Sequence, residues 1–208
     1  MKKYILLFIG IIFLFFAASA QALVILDQHH DPVGNFASLA VANDRSQIQT
    51  FTAGVTGFLS QVDVQVGRSN DTFEDLVLSI WSTDLSGLPL NQLSFASVPA
   101  SASSVVYPLP FVSFNLSSGS LFVSESNLYA LVLDSKASNN PPFEQRYLWS
   151  IGEEYGRGKA YTKISSSLSE QTGDLHFRTY VNVSEASSAT VPEPATMILF
   201  SGGLTGAF

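Results

Sequence analysis

The stretch Leu59-Ser60-Gln61-Val62-Asp63-Val64-Gln65-Val66 ends in a regular alternation of polar and apolar side chains. Successive side chains of an extended strand point to opposite faces, so the three valines share one face and the three polar residues between them share the other. A helix would scatter both sets around its circumference. The stretch therefore predicts a β-strand with at least one buried face.

Similar short runs recur along the chain, separated by turn residues such as Gly54, Gly87, Gly119 and Gly156. Eight further segments are predicted as strands: 48–52, 75–82, 105–107, 111–116, 128–133, 146–151, 159–164 and 175–183. Between the two chain ends, no long stretch has the apolar spacing of a helix. Nine short strands predict an all-β, two-sheet β-sandwich, and we favour a jelly-roll-like topology over an immunoglobulin-like one.

The composition excludes several classes of function. Charged residues make up only 13% of the 208 residues, and the formal net charge is −7. An acidic chain without a basic cluster repels nucleic acid, so no nucleic-acid partner is expected. The sequence contains no cysteine, which excludes disulfides, thiolate metal sites and a cysteine nucleophile.

The N-terminus has the three parts of a secretory signal peptide. Met1-Lys2-Lys3 is positively charged, residues 4–16 form an unbroken apolar run, and small residues follow. Cleavage after Ala20 or after Ala22 fits the small-x-small rule, and both frames remain open. We therefore interpret residues 1–22 as a signal peptide, residues 23–183 as the β-sandwich domain and residues 184–190 as a polar linker.

The C-terminal segment, residues 191–208, combines a short extended motif with an apolar stretch. It opens with Val191-Pro192-Glu193-Pro194-Ala195-Thr196, in which two prolines hold the chain extended. The following residues, to Phe208, are apolar or small and predict a short helix. About 14 such residues are fewer than the roughly 20 needed to span a bilayer.

This segment resembles the PEP-CTERM sorting signal of Gram-negative bacteria, through the motif Val191 to Thr196 and the glycine-rich apolar stretch after it. The resemblance implies processing by an exosortase near Pro192-Glu193-Pro194. It also implies export through the inner membrane with transient insertion there, and a final location at the cell surface or in the extracellular matrix. The family's signal ends in an arginine-rich cluster, which does not follow Phe208, so we interpret the signal as truncated or degenerate.

The domain is similar to the jelly-roll "choice-of-anchor" ectodomains found on PEP-CTERM proteins. The similarity rests on residues 49–54 followed by 59–66, the strands around Ile80-Trp81 and 129–133, and the closing segment 174–180. It implies a fold and a location but no reaction.

Exposed aromatic rings with polar neighbours are the usual means of binding sugars. Trp81, Trp149, Tyr155, Tyr161 and Tyr180 are the candidate rings. The loop region from Asn139 to Arg157 is the most polar and aromatic, so a possible glycan site is predicted at Trp149, Tyr155, Arg157 and Tyr161. A second possibility is the polar face of the last strand, where His176, Arg178 and Tyr180 alternate with apolar residues.

Metal ligands are sparse. His29 and His30 lie beside Asp27 and Asp31 in a predicted loop, but adjacent residues on an extended chain point apart, which disfavours binding of one ion by both. Calcium is the better cofactor candidate, because loop carboxylates supply the oxygen ligands that it prefers. The candidate calcium ligands are Asp27, Asp31, Asp44 and Asp174.

Three functions remain from these observations. The first is an exported, non-enzymatic surface or matrix protein associated with exopolysaccharide in a biofilm. The alternative is a dedicated carbohydrate-binding module. A secreted hydrolase is the weakest, because no Gly-x-Ser-x-Gly elbow and no acidic pair of fixed separation is present.

Overall fold

The computed structural model describes residues 22–31, 37–69, 72–105, 108–116, 121–138 and 145–184. Residues Val24–Val183 form one compact unit. The predicted signal peptide up to residue 21, the predicted sorting motif and the apolar tail lie outside the described residues. Among the described residues, no helix has the length and apolar character needed to cross a membrane.

The described residues form thirteen strands in two antiparallel sheets, consistent with a β-sandwich. The seven-stranded sheet contains β1 (Ala22–His30), β2 (Ala37–Val41), β4 (Gly57–Arg68), β7 (Phe111–Asn115), β8 (Phe122–Val123), β10 (Tyr147–Ile151) and β13 (Phe177–Ser184). The six-stranded sheet contains β3 (Arg45–Thr52), β5 (Leu76–Thr83), β6 (Pro89–Val98), β9 (Leu128–Ser135), β11 (Ala160–Ile164) and β12 (Ser167–Glu170). One short 3₁₀ turn covers Ala100–Ala102.

Strand β4, which contains the alternating stretch, organises the seven-stranded sheet. It pairs with β13 and β10 along one edge and with β7 and β8 along the other. Val62, Val64 and Val66 are fully buried, as the alternation predicts. The polar face is also covered, because Asp63 and Gln65 are each only 6% exposed. The interior of the sheet is thus covered on both faces at this strand.

The six-stranded sheet runs in the order β12-β11-β3-β9-β5-β6. The segment 128–133 is apolar on both faces, and the strand it forms, β9, is central, between β3 and β5. One core cluster contains side chains from both sheets, and Phe51 of β3 lies 6.0 Å from Phe177 of β13 between ring centroids. Burial of these apolar residues is the main stabilising contribution.

Two glutamines of β3 point into this core. Gln47 and Gln49 share the inward face of the strand with Phe51, and both are 0% exposed. The Gln47 amide donates to the Ala40 carbonyl and accepts from the Thr162 hydroxyl, each at 2.7 Å. The Gln49 amide donates to the Asp174 carboxylate at 2.7 Å and accepts from the Leu175 N–H at 2.7 Å. Both amides are therefore satisfied, as burial requires.

The prediction of nine strands was too low. Strands β1, β2, β6, β8 and β12 were not predicted, and segment 105–107 is not a described strand: Val105 lies in a bend and residues 106–107 are outside the description. Strand β6 lies at the edge of its sheet and is mostly exposed, so its sequence lacks a sustained buried face. His29 and His30 belong to β1, which corrects their assignment to a loop.

Replacing Phe51 by alanine tests the inter-sheet core. A cavity between the sheets should lower the free energy of unfolding by about 3–5 kcal/mol. Urea unfolding of the full chain, followed by tryptophan fluorescence, measures this loss. Leu85→Ala is the matched control, because Leu85 is fully exposed in the turn before β6 and its truncation should change stability by no more than about 0.5 kcal/mol. Equal losses in the two variants would contradict the assignment of Phe51 to the core.

Candidate carbohydrate-binding groove

The four predicted calcium ligands do not form one site. The Asp27 carboxylate accepts from the Gly54 N–H at 2.8 Å, while the Asp31 carboxylate pairs with Arg178 at 2.7 Å. Asp174 is 4% exposed and Asp44 lies in an exposed turn. Among the described residues, no group of three or more His, Asp or Glu side chains is placed to hold a metal ion. The carboxylates of Asp27, Asp31 and Asp174 instead bind groups of the protein itself.

Tyr155 and Asp174 belong to a polar cluster at one end of the sandwich. The Asp174 carboxylate accepts from the Tyr155 N–H at 2.8 Å as well as from Gln49. The Tyr155 hydroxyl donates to the Gln28 side chain of β1, and its ring meets Phe177 edge-on at 5.1 Å. Burial raises the pKa of Tyr155 to about 12. These contacts commit the ring to packing, which removes it as a free platform for a sugar.

His176 is buried, which corrects its assignment to an exposed polar face. It is 1% exposed, and its Nδ1 lies 2.9 Å from Gln65 Oε1 and 3.1 Å from Ser150 Oγ. The ring of His30 lies 4.9 Å from it, between centroids. Burial, together with the smaller effect of the neighbouring His30, lowers the pKa of His176 to about 4. Burial also lowers the pKa of His30.

The remaining polar face of β13 is occupied by the protein's own side chains. The Arg178 guanidinium binds Asp31 and lies 4.0 Å from the centroid of the Phe111 ring. The hydrogen bond to Asp31 raises the pKa of Arg178. With His176 buried, the three-residue ligand face predicted here is not formed.

Trp149 was wrongly predicted to face a ligand. It is 0% exposed, and its indole Nε1 donates to the His176 carbonyl at 2.9 Å. The residue lies on the inward face of β10, within the core cluster. Arg157, in contrast, is exposed in the loop before β11, next to a polar cavity of about 250 Å³ between that loop and residues 170–174. Its backbone carbonyl accepts from Thr52.

A groove on the outer face of the six-stranded sheet is a better candidate for sugar binding than the predicted site at Trp149 and Tyr155. It has a volume of about 300 Å³ and is lined by side chains of all six strands and of adjoining turns: Ser46, Ile48, Trp81, Leu88, Pro89, Val132, Asp134, Lys163, Ser166 and Leu168. This is at the lower limit for small-ligand pockets, which matches one or two sugar rings of a longer chain.

Strand register places the groove's side chains in rows across the sheet. Tyr161 pairs with Ile48, and Ile48 pairs with Val132, which gives an apolar row. Lys163 pairs with Ser46 in the next row, and the Ser46 hydroxyl donates to the Asp134 carboxylate. With strands about 4.8 Å apart, Lys163 and Asp134 are about 10 Å from each other across the sheet.

Trp81 supplies the aromatic wall of the groove. It is half-buried on the outer face of β5 and packs against the small outer cluster of Ile48, Ala130, Val132 and Tyr161. Its Nε1 donates to the Ser79 hydroxyl at 2.8 Å, so the ring is held in place and offers its faces rather than its N–H. Tyr161 is 7% exposed and belongs to the same outer cluster, but its side chain does not line the groove.

This arrangement can bind a ligand that is apolar on one side and hydroxylated on its edges. The ring of Trp81 and the aliphatic floor can pack against the C–H face of a pyranose. The Asp134 carboxylate accepts hydrogen bonds from hydroxyl groups, and the exposed Lys163 ammonium donates them. None of the predicted glycan residues Trp149, Tyr155, Arg157 and Tyr161 lines this groove, whereas Trp81, one of the candidate rings, does. The alternation of β5 and β9 was the available signal for the outward faces that carry Trp81 and Asp134.

Sequence comparison gives no independent assignment. No protein-family model matches the chain, and no curated protein matches it.

The buried histidine pair predicts acid-sensitive stability. An unfolded histidine has a pKa near 6.5, whereas that of His176 is about 4. Between these values the unfolded chain binds more protons, so the free energy of unfolding should fall as the pH drops from 6.5, by at most about 3 kcal/mol for His176. Urea unfolding between pH 7 and pH 5 measures the slope.

Two variants test whether His176 and His30 cause this pH dependence of the free energy of unfolding. His176→Gln should flatten the pH dependence, and His30→Gln should weaken it even if the first variant fails to fold. His29→Gln is the matched control, because His29 is exposed on the same strand. A slope that is unchanged in His30→Gln and reduced in His29→Gln would contradict the assignment.

Proposed function

We propose that this chain is an exported, non-enzymatic surface or extracellular matrix protein whose β-sandwich binds a polysaccharide in the groove of Trp81, Asp134 and Lys163. The signal peptide and the motif Val191 to Thr196 support export and handling by an exosortase. The groove supports association with exopolysaccharide, because it combines a fixed aromatic wall with hydrogen-bonding groups of both kinds.

A dedicated carbohydrate-binding module is the second candidate, and the same groove favours it. The two functions differ in selectivity. A matrix protein binds the polymer of its own biofilm through many copies, whereas a module binds one class of glycan tightly as a single domain. Multivalency lets weak individual sites hold a polymer firmly.

A secreted hydrolase has little support. Ser150 and His176 approach each other as a nucleophile and a base would, but both are buried, at 2% and 1% exposure. A catalytic serine must reach the substrate, and this one contacts only the interior. Glu153 and Glu154, the adjacent acids of the predicted loop, are exposed, and neither lines the proposed groove.

We also propose a jelly-roll-like topology for the sandwich. Most connections between consecutive described strands lead from one sheet to the other, as β3 to β4 and β9 to β10 do, and hairpins within a sheet join β5 to β6 and β11 to β12. Repeated crossing between sheets is typical of jelly rolls.

Polysaccharide pull-down with the full chain in mild detergent tests the groove. Cellulose, chitin, β-glucan and alginate serve as probes, and binding to at least one of them should be saturable. Trp81→Ala should weaken that binding at least tenfold, because a stacked aromatic ring is lost, which corresponds to about 1.4 kcal/mol. Arg157→Ala, in the predicted loop, is the matched control and should bind normally. Loss in Arg157→Ala alone would place the site in that loop, and no binding to any glycan would overturn the glycan proposal.

Processing of the tail is tested in an exosortase-positive host. The mature mass of the exported chain should correspond to cleavage after Ala20 or Ala22 and near Pro192-Glu193-Pro194. A second form, extended after Phe208 by an arginine cluster, tests whether a basic stop improves membrane retention before processing. Glu193→Ala should abolish the C-terminal cut and leave signal-peptide removal intact. A C-terminal mass that Glu193→Ala leaves unchanged would contradict exosortase handling.

A further inference from the structure

One long segment of the chain carries no charge. Residues 85–124 contain no Asp, Glu, Lys, Arg or His, although the chain has 10 basic and 17 acidic residues in total. This uncharged segment includes β6, β7 and β8, and β6 contacts β7 across the side of the sandwich. The net charge of −7 is therefore carried by the rest of the chain.

Strand β6 is an exposed edge within the described part of the structure. It is ten residues long, it ends the six-stranded order, and β5 is its only described partner in that sheet. Natural edge strands are usually protected from pairing with other chains by charged side chains, bulges or a covering loop. Here register shifts interrupt the pairing near Trp81, while Ser94 to Val98 pairs regularly and no charge protects it.

Large apolar side chains are exposed along this edge. Phe95 is 64% exposed, Leu90 56% and Leu93 43%, and the nearby Phe73 is 75% exposed. At about 150–200 Å² for each fully exposed side chain, these four leave roughly 400 Å² of apolar surface. Because interfaces are about 57% apolar, this corresponds to roughly 700 Å² per partner, close to the ~800 Å² of a standard interface.

A groove of about 370 Å³ lies beside Phe95. Phe73, Val77 and Phe95 form its apolar part, while Glu74, Asp75 and Lys136 surround it with charges of both signs. An apolar centre with a polar rim is the usual arrangement of a protein–protein interface. A groove of this size can accept a leucine or phenylalanine side chain from a partner.

From these features we infer that β6 is a homodimer interface, in which β6 of a second copy pairs antiparallel with it and joins the two six-stranded sheets. A strand paired antiparallel with its own copy satisfies a two-fold axis, so both copies use the same surface. Two molecules of net charge −7 repel each other wherever acidic surfaces meet, and the uncharged segment is where that repulsion is least. The inference does not rest on the glycan groove, to which β6 contributes only Pro89 at the start of the strand.

Cross-linking tests this interface cleanly, because the chain has no cysteine of its own. Single cysteines are introduced on β6 as Asn91→Cys, Phe95→Cys and Ser97→Cys, and the full chain in mild detergent is treated with a bis-maleimide reagent, which tolerates several registers. Ser167→Cys and Ser169→Cys on β12, at the opposite edge of the same sheet, are the matched controls and are exposed. The β6 variants should form covalent dimers at least ten times faster than the β12 variants.

Sedimentation is a second measurement, and it tests dimer formation without introduced cysteines. Sedimentation of the unmodified chain should give twice the chain mass of 22.4 kDa, after correction for detergent. Phe95→Lys should place a charge on the edge and shift the dissociation constant upward at least tenfold, while Ser169→Lys should leave it unchanged. Equal cross-linking at β6 and β12, or a monomer at all concentrations, would overturn the inference.

Discussion

The burial of β4 on both faces is the constraint on which the structure depends. Its valines form the centre of the inter-sheet core, and both of its edges are hydrogen-bonded to neighbouring strands. A strand in this position must satisfy every backbone group and still place apolar side chains inward. The polar residues of its other face are covered as well, and they hold contacts such as that between Gln65 and His176. The seven-stranded sheet is assembled around this strand.

Alternation could be predicted from sequence, whereas the covering of a polar face could not. The pattern in β4 gives its strand and its inward face, because the period of two is a property of the backbone. Nothing local indicates that β1 and the loop around Tyr155 cover His176, since those contacts join residues far apart in the chain. Strand β6 was missed for a local reason: its inward side chains, Ser94, Ala96 and Val98, are mostly small or polar, while Leu93 and Phe95 point outward, so its sequence has no clear apolar face.

The candidate groove shows the same division between local and distant information. Trp81 and Trp149 both lie in β-strands, yet one faces the outer groove and the other the core. Because Trp81 directly follows Ile80 in β5, alternation puts it on the face opposite the buried Leu78 and Ile80, where it is half-buried. Lys163 and Asp134 line the same groove because β11 and β9 both pair with β3. The order in which strands pair is a tertiary property, and the sequence of a single strand does not encode it.

The inward amides of Gln47 and Gln49 help to fix the strand register of β3 in the six-stranded sheet. A slip of β3 by two residues would keep every apolar side chain on its correct face, so hydrophobic burial alone barely distinguishes it from the native pairing. The same slip would separate both amides from Ala40, Thr162, Asp174 and Leu175 and leave them buried without partners. Each buried group left unpaired costs about 1–3 kcal/mol, so misaligned sheets are penalised even though they remain equally apolar. These two polar residues therefore select the native register of β3, which the burial of apolar side chains alone would not distinguish from a two-residue slip.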